Sequence, residues 1–331
     1  LPVLEVRHVT TYRYRKPVAL GEHRMMFRPR EGHDQRVLAS SLIITPTPVR
    51  QRWMLDVFGN HIAYATFGAR TTELNFDSTV TLQHSPSHAH DGTLPDLTLE
   101  DYASTYPFTY SGDDMPDLMR LIERHNRDPH HEVDRWVRRF LSPHGPTSTS
   151  ALLLGINHTI WQNFTYVARE EKGLQEPTTT LRLGSGSCRD FALLMMEAVR
   201  ALGLAARFVS GYLHVPPKGN SPWRNIGGGA THAWLQVFLP GAGWVEFDPT
   251  NGIVGNRDLI RVAVVREPAQ AVPLSGTWVG APSDHLSMNV AVSVNRITDL
   301  AQYDPSLRDD AAAPSSHFTH SASPPQGTSP Q

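Results

Sequence analysis

Short runs in which apolar and polar residues alternate dominate the first hundred positions. Leu4, Val6 and His8 interleave with Glu5, Arg7 and Val9, and Thr11-Tyr12-Arg13-Tyr14 prolongs the run. A period of two sends successive side chains to opposite faces of a strand. Further strands are predicted at 25–28, 37–44, 50–56, 61–67 and 79–83, with Gly59-Asn60 as a turn between two of them. This half reads as an antiparallel β-sandwich, and nothing in it suggests a reactive site.

Pro, His, Asp and Thr accumulate between residues 84 and 110, which marks a connection. Helical spacing follows at 115–126, 132–141 and 150–164. Arg135, Arg138 and Arg139 surround Trp136 and read as a solvated helix face. A fourth helix is predicted from Cys188 to about 202, ended by Gly203, with Phe191, Leu194, Met195, Ala198 and Leu202 on one face. Strands are then expected at 206–214, 230–239, 243–247, 259–265 and 288–295. Helices followed by antiparallel strands make an α+β fold. The expected organisation is a β-rich domain at 1–95, a helical segment and core at 96–305, and a disordered tail at 306–331. That tail is Ala, Ser, Pro, Thr and Gly with few large apolar residues, too little burial to offset the entropy of ordering it.

Composition removes several alternatives. The chain has 331 residues and a formal charge of −2, which argues against a nucleic-acid partner. No run approaches the roughly 20 apolar residues that cross a bilayer. No basic-then-apolar leader opens the chain as given, so a cytoplasmic protein without a membrane partner is expected. One cysteine among 331 residues excludes an intramolecular disulfide and a cysteine zinc cluster. The 17 histidines are scattered, as at His84, His88, His90 and His130-His131, with no His-Glu-x-x-His pattern. No metal or other cofactor is expected.

A lone cysteine is more often an inert buried residue than a nucleophile, so its setting decides. Gly184-Ser185-Gly186-Ser187 leads into Cys188-Arg189-Asp190. The glycines permit a tight loop, and Ser187 with Asp190 has the Ser-x-x-Asp form of a capping box. Asp190 is better read as a cap than as a catalytic acid. Cys188 would then open the helix, where unpaired N–H groups and the helix dipole favour a thiolate and could face an oxyanion. An ordinary capped helix fits the same pattern, so a base is required.

His232 is the best base. Alternation along 232–239 puts Ala233, Leu235, Val237 and Leu239 on the core side, and His232, Trp234, Gln236 and Phe238 on the other. The rival is a structural, hydrogen-bonded histidine. Gly227-Gly228-Gly229 supplies a compact approach. A hairpin through Pro240-Gly241-Ala242-Gly243 would return Asp248 alongside His232. A strict two-residue turn would set Asp248 opposite Leu235, on the wrong face. An odd loop length or a bulge is therefore predicted. Asp248 also suits a turn with Pro249 and Asn251, and Glu246 is a weaker alternative orienter.

At these residues the chain resembles the transglutaminase-like superfamily, and more closely the bacterial two-domain proteins with a β-rich N-terminal region. The resemblance lies in Gly184–Ala192, Thr231-His232-Ala233-Trp234 and Gly243–Asn251, supported by Arg207–Tyr212 and, in the N-terminal half, by Tyr12-Arg13-Tyr14 and Asp56–Asn60. It implies a papain-like core in which Cys188 attacks an amide carbonyl, His232 protonates the departing amine and Asp248 orients the imidazole. It also implies a protein or peptide substrate, with peptidase or amidase action ahead of glutamine transamidation. A noncatalytic binding module on the same fold is the rival from another class. Some members use a tryptophan before the nucleophile as an oxyanion donor. Trp161 is the available candidate here, and a core role is the preferred reading of it. The chain lacks a match to the additional domains of calcium-dependent animal enzymes. Zinc held by His232 and Asp248 would lack further ligands.

Overall fold

The computed structural model describes residues 2–85, 98–168, 173–215 and 226–298. The alternation at the start of the chain produces one strand far longer than the pattern suggested, β1 (Val3–Met25). It is followed by β2 (Gln35–Thr45), β3 (Arg50–Leu55), β4 (His61–Thr66) and β5 (Thr71–His84). β1 is shared by two antiparallel arrays. Its first half pairs with β5, Val6 lying opposite Val80, and its last residues pair with β4, Arg24 lying opposite Tyr64. β2 extends the first array on β5 and β3 extends the second on β4. Pro17 falls between Arg13 and Val18, where the β1–β5 register shifts. A missing amide is tolerated at such an irregularity, which is how β1 continues through a proline. Tyr14, Val18, Met25, Phe27, Ile44, Ala63, Leu74 and Phe76 form the core of this sandwich.

Among the described residues the α-helices that follow are α1 (Met115–Ile122), α2 (Glu132–Arg138), α3 (Thr149–Asn163), α4 (Pro177–Leu183) and α5 (Cys188–Ala201). The last is buried on nearly every side, not on one face, because it lies between a sheet and the other helices. The buried charges in its second half, Glu197 and Arg200, are compensated. Glu197 meets Arg200 at 3.2 Å and Arg124 at 3.4 Å, and Arg200 also meets Glu267 at 2.8 Å. Arg135, Arg138 and Arg139 are exposed while Trp136 is buried, in keeping with a solvated helix face.

The sheet beneath α5 contains β6 (Ala206–Leu213), β7 (His232–Leu239), β8 (Gly243–Asp248) and β9 (Leu259–Val265). A two-residue strand, Ile253–Val254, edges it, and the order is Ile253–Val254, β8, β7, β6, β9. Two further strands, β10 (Leu274–Val279) and β11 (His285–Ile297), return to β1 and pair with its end and its beginning. The C-terminal strands thus complete the N-terminal arrays rather than the core sheet. One apolar core runs from Leu4, Val6, Val80 and Leu82 into α5 and the sheet, within a single unit spanning Leu1–Ile297. The architecture is α+β, an antiparallel β-rich half joined to a helix-and-sheet core. Among the described residues no helix is long and apolar enough to cross a membrane. The expected tail at 306–331 lies outside the described residues, as do His88 and His90.

Candidate active site

The segment before Cys188 is held by a short parallel bridge, Thr165–Tyr166 against Ser185–Gly186. Gly186 permits it: a Cβ there would lie 2.9 Å from the Asp190 Cβ. Asp190 then closes the helix start. Its Oδ2 accepts from the Ser187 N–H at 2.9 Å and the Ser187 hydroxyl at 2.8 Å, and its Oδ1 accepts from the Gln175 N–H at 2.8 Å. Asp190 is therefore occupied as a cap. The Ser187 hydroxyl is turned to Asp190. Cys188 stands as the first residue of α5, buried, at the positive end of the helix dipole.

The β7–β8 hairpin fixes the other two residues. Leu239 lies opposite Gly243, so the loop is Pro240-Gly241-Ala242, an odd length. Leu235 faces Phe247, and Asp248 therefore falls on the same side of the sheet as His232. The His232 Nε2 meets the Asp248 Oδ2 at 2.7 Å, with both side chains fully buried. Asp248 also forms the turn: its Oδ1 accepts from the N–H of Thr250 at 2.9 Å and of Asn251 at 3.4 Å. The two rival uses of Asp248 coexist, one on each oxygen.

With Asp248 on Nε2, the ring atom left for a thiol is Nδ1. It is buried and makes no hydrogen bond of full geometry. Burial pulls the imidazolium down, but the Asp248 carboxylate and the adjacent Cys188 thiol more than reverse this, and the His232 pKa is raised from 6.5 to about 10. Space at Nδ1 depends on Gly227, since a Cβ at that position would lie 2.6 Å from the nitrogen. On its other side His232 lies 5.8 Å from the Trp234 ring at an interplanar angle of 30°. Trp234 in turn rests where Gly211 has no side chain, because a Cβ there would meet its ring at 2.7 Å.

Cys188, His232 and Asp248 are thus assembled from the start of a helix, the start of a strand and the end of its neighbour. Glu246 is not part of the group. Its Oε1 accepts from Gln236 at 2.6 Å and from Arg261 at 2.7 Å, away from His232. Trp161 is half-buried outside the core, against the turn after Asp248. A Cβ on Gly252 would come within 2.6 Å of its ring.

Two neighbours escaped the sequence reading. Tyr166 sits near the thiol, its phenol pKa raised first by burial and then by Cys188. No spacing marks it, because the parallel bridge to 185–186 brings it there. Asn251 does more than form the turn. Its Nδ2 donates to the Asp248 Oδ2 at 2.8 Å and to the Ile226 carbonyl at 3.0 Å, and its Oδ1 accepts from the Ile226 N–H at 2.9 Å. One amide side chain therefore ties the carboxylate to the segment entering β7. Asn251→Ala is expected to loosen Asp248 and lower the His232 pKa. One unit of lowering gives about a 10-fold loss of the charged ring only at pH values above both midpoints, since at neutral pH a ring with a pKa near 10 or 9 stays charged. The check is the NMR titration of the His232 ring, whose midpoint should move down from about 10 in Asn251→Ala; an unmoved midpoint would leave Asn251 a turn residue only.

Comparisons with known proteins bear on the family and the fold. The family described as the bacterial transglutaminase-like N-terminal region matches residues 4–83, and the transglutaminase-like superfamily matches residues 141–249. An uncharacterized protein of Mycobacterium tuberculosis is 30% identical over 298 residues, covering 87% of this chain and 91% of its own. The chain belongs to the transglutaminase-like superfamily. An uncharacterized protein of Mycobacterium leprae is 25% identical over 306 residues, covering 89% of this chain and 99% of its own. A protein-glutamine gamma-glutamyltransferase of Pseudomonas aeruginosa is 35% identical over 75 residues, only 22% of this chain and 11% of that one. A solved Cytophaga hutchinsonii protein, named as a candidate cysteine protease, superposes with a TM-score of 0.64 at 18% identity, covering 90% of this chain and 91% of that one. That likeness establishes the shared fold.

Proposed function

We propose that this superfamily member is a cysteine-dependent hydrolase of amide bonds in proteins or peptides, with Cys188 as nucleophile, His232 as acid–base and Asp248 as orienter. The observation that carries the reading is the buried His232–Asp248 pair, which leaves Nδ1 for the cysteine at a helix start. The Cys188 sulfur attacks the amide carbonyl carbon while the His232 Nδ1 holds its proton. First-turn amides of α5 face the oxyanion that forms. The C–N bond then breaks, the imidazolium protonates the departing amine, and a thioester remains on Cys188. Water, deprotonated by His232, resolves the thioester to an acid and regenerates the thiol. Asp248 holds Nε2–H throughout, so Nδ1 is the nitrogen that exchanges protons.

Transamidation differs only in the acceptor, and the short match to the Pseudomonas glutamyltransferase keeps it as the second reading. Glutamine-containing peptides incubated with a labelled primary amine distinguish the two. Deamidated or cleaved products in excess are expected. Amine incorporation above deamidation would replace hydrolase with transamidase while leaving the nucleophile unchanged.

A further inference from the structure

A second concave site lies at the far end of the β7–β8 hairpin. Gln236 shares a sheet face with His232, and the fully buried Trp234 stands between them, so the two sites are separate. Beyond Gln236 opens a pocket of about 290 Å³, lined by Arg30, Arg207 and Arg261 with Asp34, Glu246 and Trp244. The three arginines come from three places: the segment after β1, strand β6 and strand β9.

Their partners are divided unevenly. Both carboxylates are engaged by Arg261. Asp34 takes two bonds from it, at 2.7 and 2.5 Å, and Glu246 takes one at 2.7 Å. Asn256 further occupies Asp34, and Gln236 further occupies Glu246. Arg30 donates to the Phe58 carbonyl and the Asn60 amide oxygen, both neutral. Arg207 donates Nε–H to the Gln236 Oε1 at 2.7 Å, and its guanidinium lies 3.9 Å over the Trp244 ring. Among the described residues neither Arg30 nor Arg207 forms an ion pair with a carboxylate. Carboxylates act on the two only without contact, Glu246 on Arg207 and Asp56 on Arg30, so the burial of these guanidinium groups is only partly compensated. Burial and then the charge of Arg30 pull the Arg207 pKa down to about 9.

We propose that this pocket binds a small oxyanion, a carboxylate or a phosphate, between the guanidinium groups of Arg30 and Arg207. The planar fork of Arg207, held edge-on by Gln236 and face-on by Trp244, presents its outer N–H pair in the geometry that such oxygens match. Arg30 belongs to the segment after β1 and Arg207 to the core sheet, so the bound anion would join the two halves of the fold. Glu246 and Asp34 set an upper limit on ligand charge and favour small anions over polyanions.

The test uses the full chain and thermal unfolding at constant ionic strength. Sodium phosphate and sodium succinate are titrated separately against a sodium chloride control. A saturable rise in midpoint with either anion, absent with chloride, is expected, and the anion that produces it identifies the source. Arg207→Gln and Arg30→Gln should each weaken binding by about 10-fold or more. Arg13→Gln, which touches only the exposed Glu73, should leave binding unchanged. If Arg207→Gln does not fold, Arg30→Gln and calorimetric titration of the parent chain carry the test. No saturable response to either anion, or undiminished binding in both pocket variants, would overturn the proposal.

Discussion

Alanine at position 188 is expected to abolish amide turnover, lowering kcat by roughly 10⁴–10⁶-fold. The chain has one cysteine, so no other thiol can substitute. The expected size follows from the division of labour in the site. In the proposed mechanism His232 and Asp248 act on a proton that the nucleophile must exchange, and without the sulfur they have nothing to activate. First-turn amides would still polarise a carbonyl, so the residual rate should exceed the uncatalysed one. The check has two parts. Steady-state turnover on a peptide identified by product mass should collapse, and the covalent adduct seen by intact-mass analysis of the quenched parent should vanish. Because Cys188 opens α5 without filling a large volume, circular dichroism and the thermal midpoint of Cys188→Ala should stay close to those of the parent. Retention of more than about one per cent of turnover would remove Cys188 from the mechanism.

The fold and the site were legible to different depths, for physical reasons. The hairpin was readable because parity decides it. Asp248 reaches the histidine's face only if the loop length is odd, and the loop of Pro240-Gly241-Ala242 is. The start of α5 was readable from the Ser187/Asp190 pattern, and Asp190 bonds both the Ser187 N–H and the Ser187 hydroxyl. Element lengths were less accessible. β1 hides a proline and a glycine inside a continuous strand, because its register shifts carry the break. α4 begins Pro-Thr-Thr-Thr, a β-branched run with no helical stripe, and is stabilised by packing on α2 and α5. β10 contains Gly276, which reads as a breaker. It is there because a Cβ would meet the His23 ring at 2.2 Å. Asn251 and Tyr166 are brought to the site by tertiary contacts alone, which no local spacing encodes. Glu246 shows the converse. It shares a sheet face with Asp248, yet Arg261 from another strand claims it.

Asparagine at position 248 is expected to lower kcat by about 10³–10⁴-fold and to move the alkaline limit of activity. The carboxylate does two things that an amide cannot. In the proposed mechanism it keeps the proton on Nε2, so that Nδ1 is the nitrogen that exchanges with the thiol, and it balances the charge of a fully buried imidazolium. Burial alone lowers the histidine pKa, and only Asp248 and Cys188 raise it to about 10. In the parent, activity should therefore fall on the alkaline side as His232 loses the proton it delivers to the leaving amine, near pH 10. In Asp248→Asn that limb should move down toward 6.5 or below. Stability carries the same sign. A pKa raised in the folded state contributes stability that is fully present below 6.5 and is lost as pH rises through about 10. The parent's advantage over the variant in urea should accordingly be largest near pH 6 and shrink toward pH 10. A merely structural aspartate would lower stability without displacing the rate profile. An alkaline limb that stays in place when Asp248 becomes Asn would therefore assign Asp248 to the turn with Thr250 and Asn251, and leave His232 to be charged by some other neighbour.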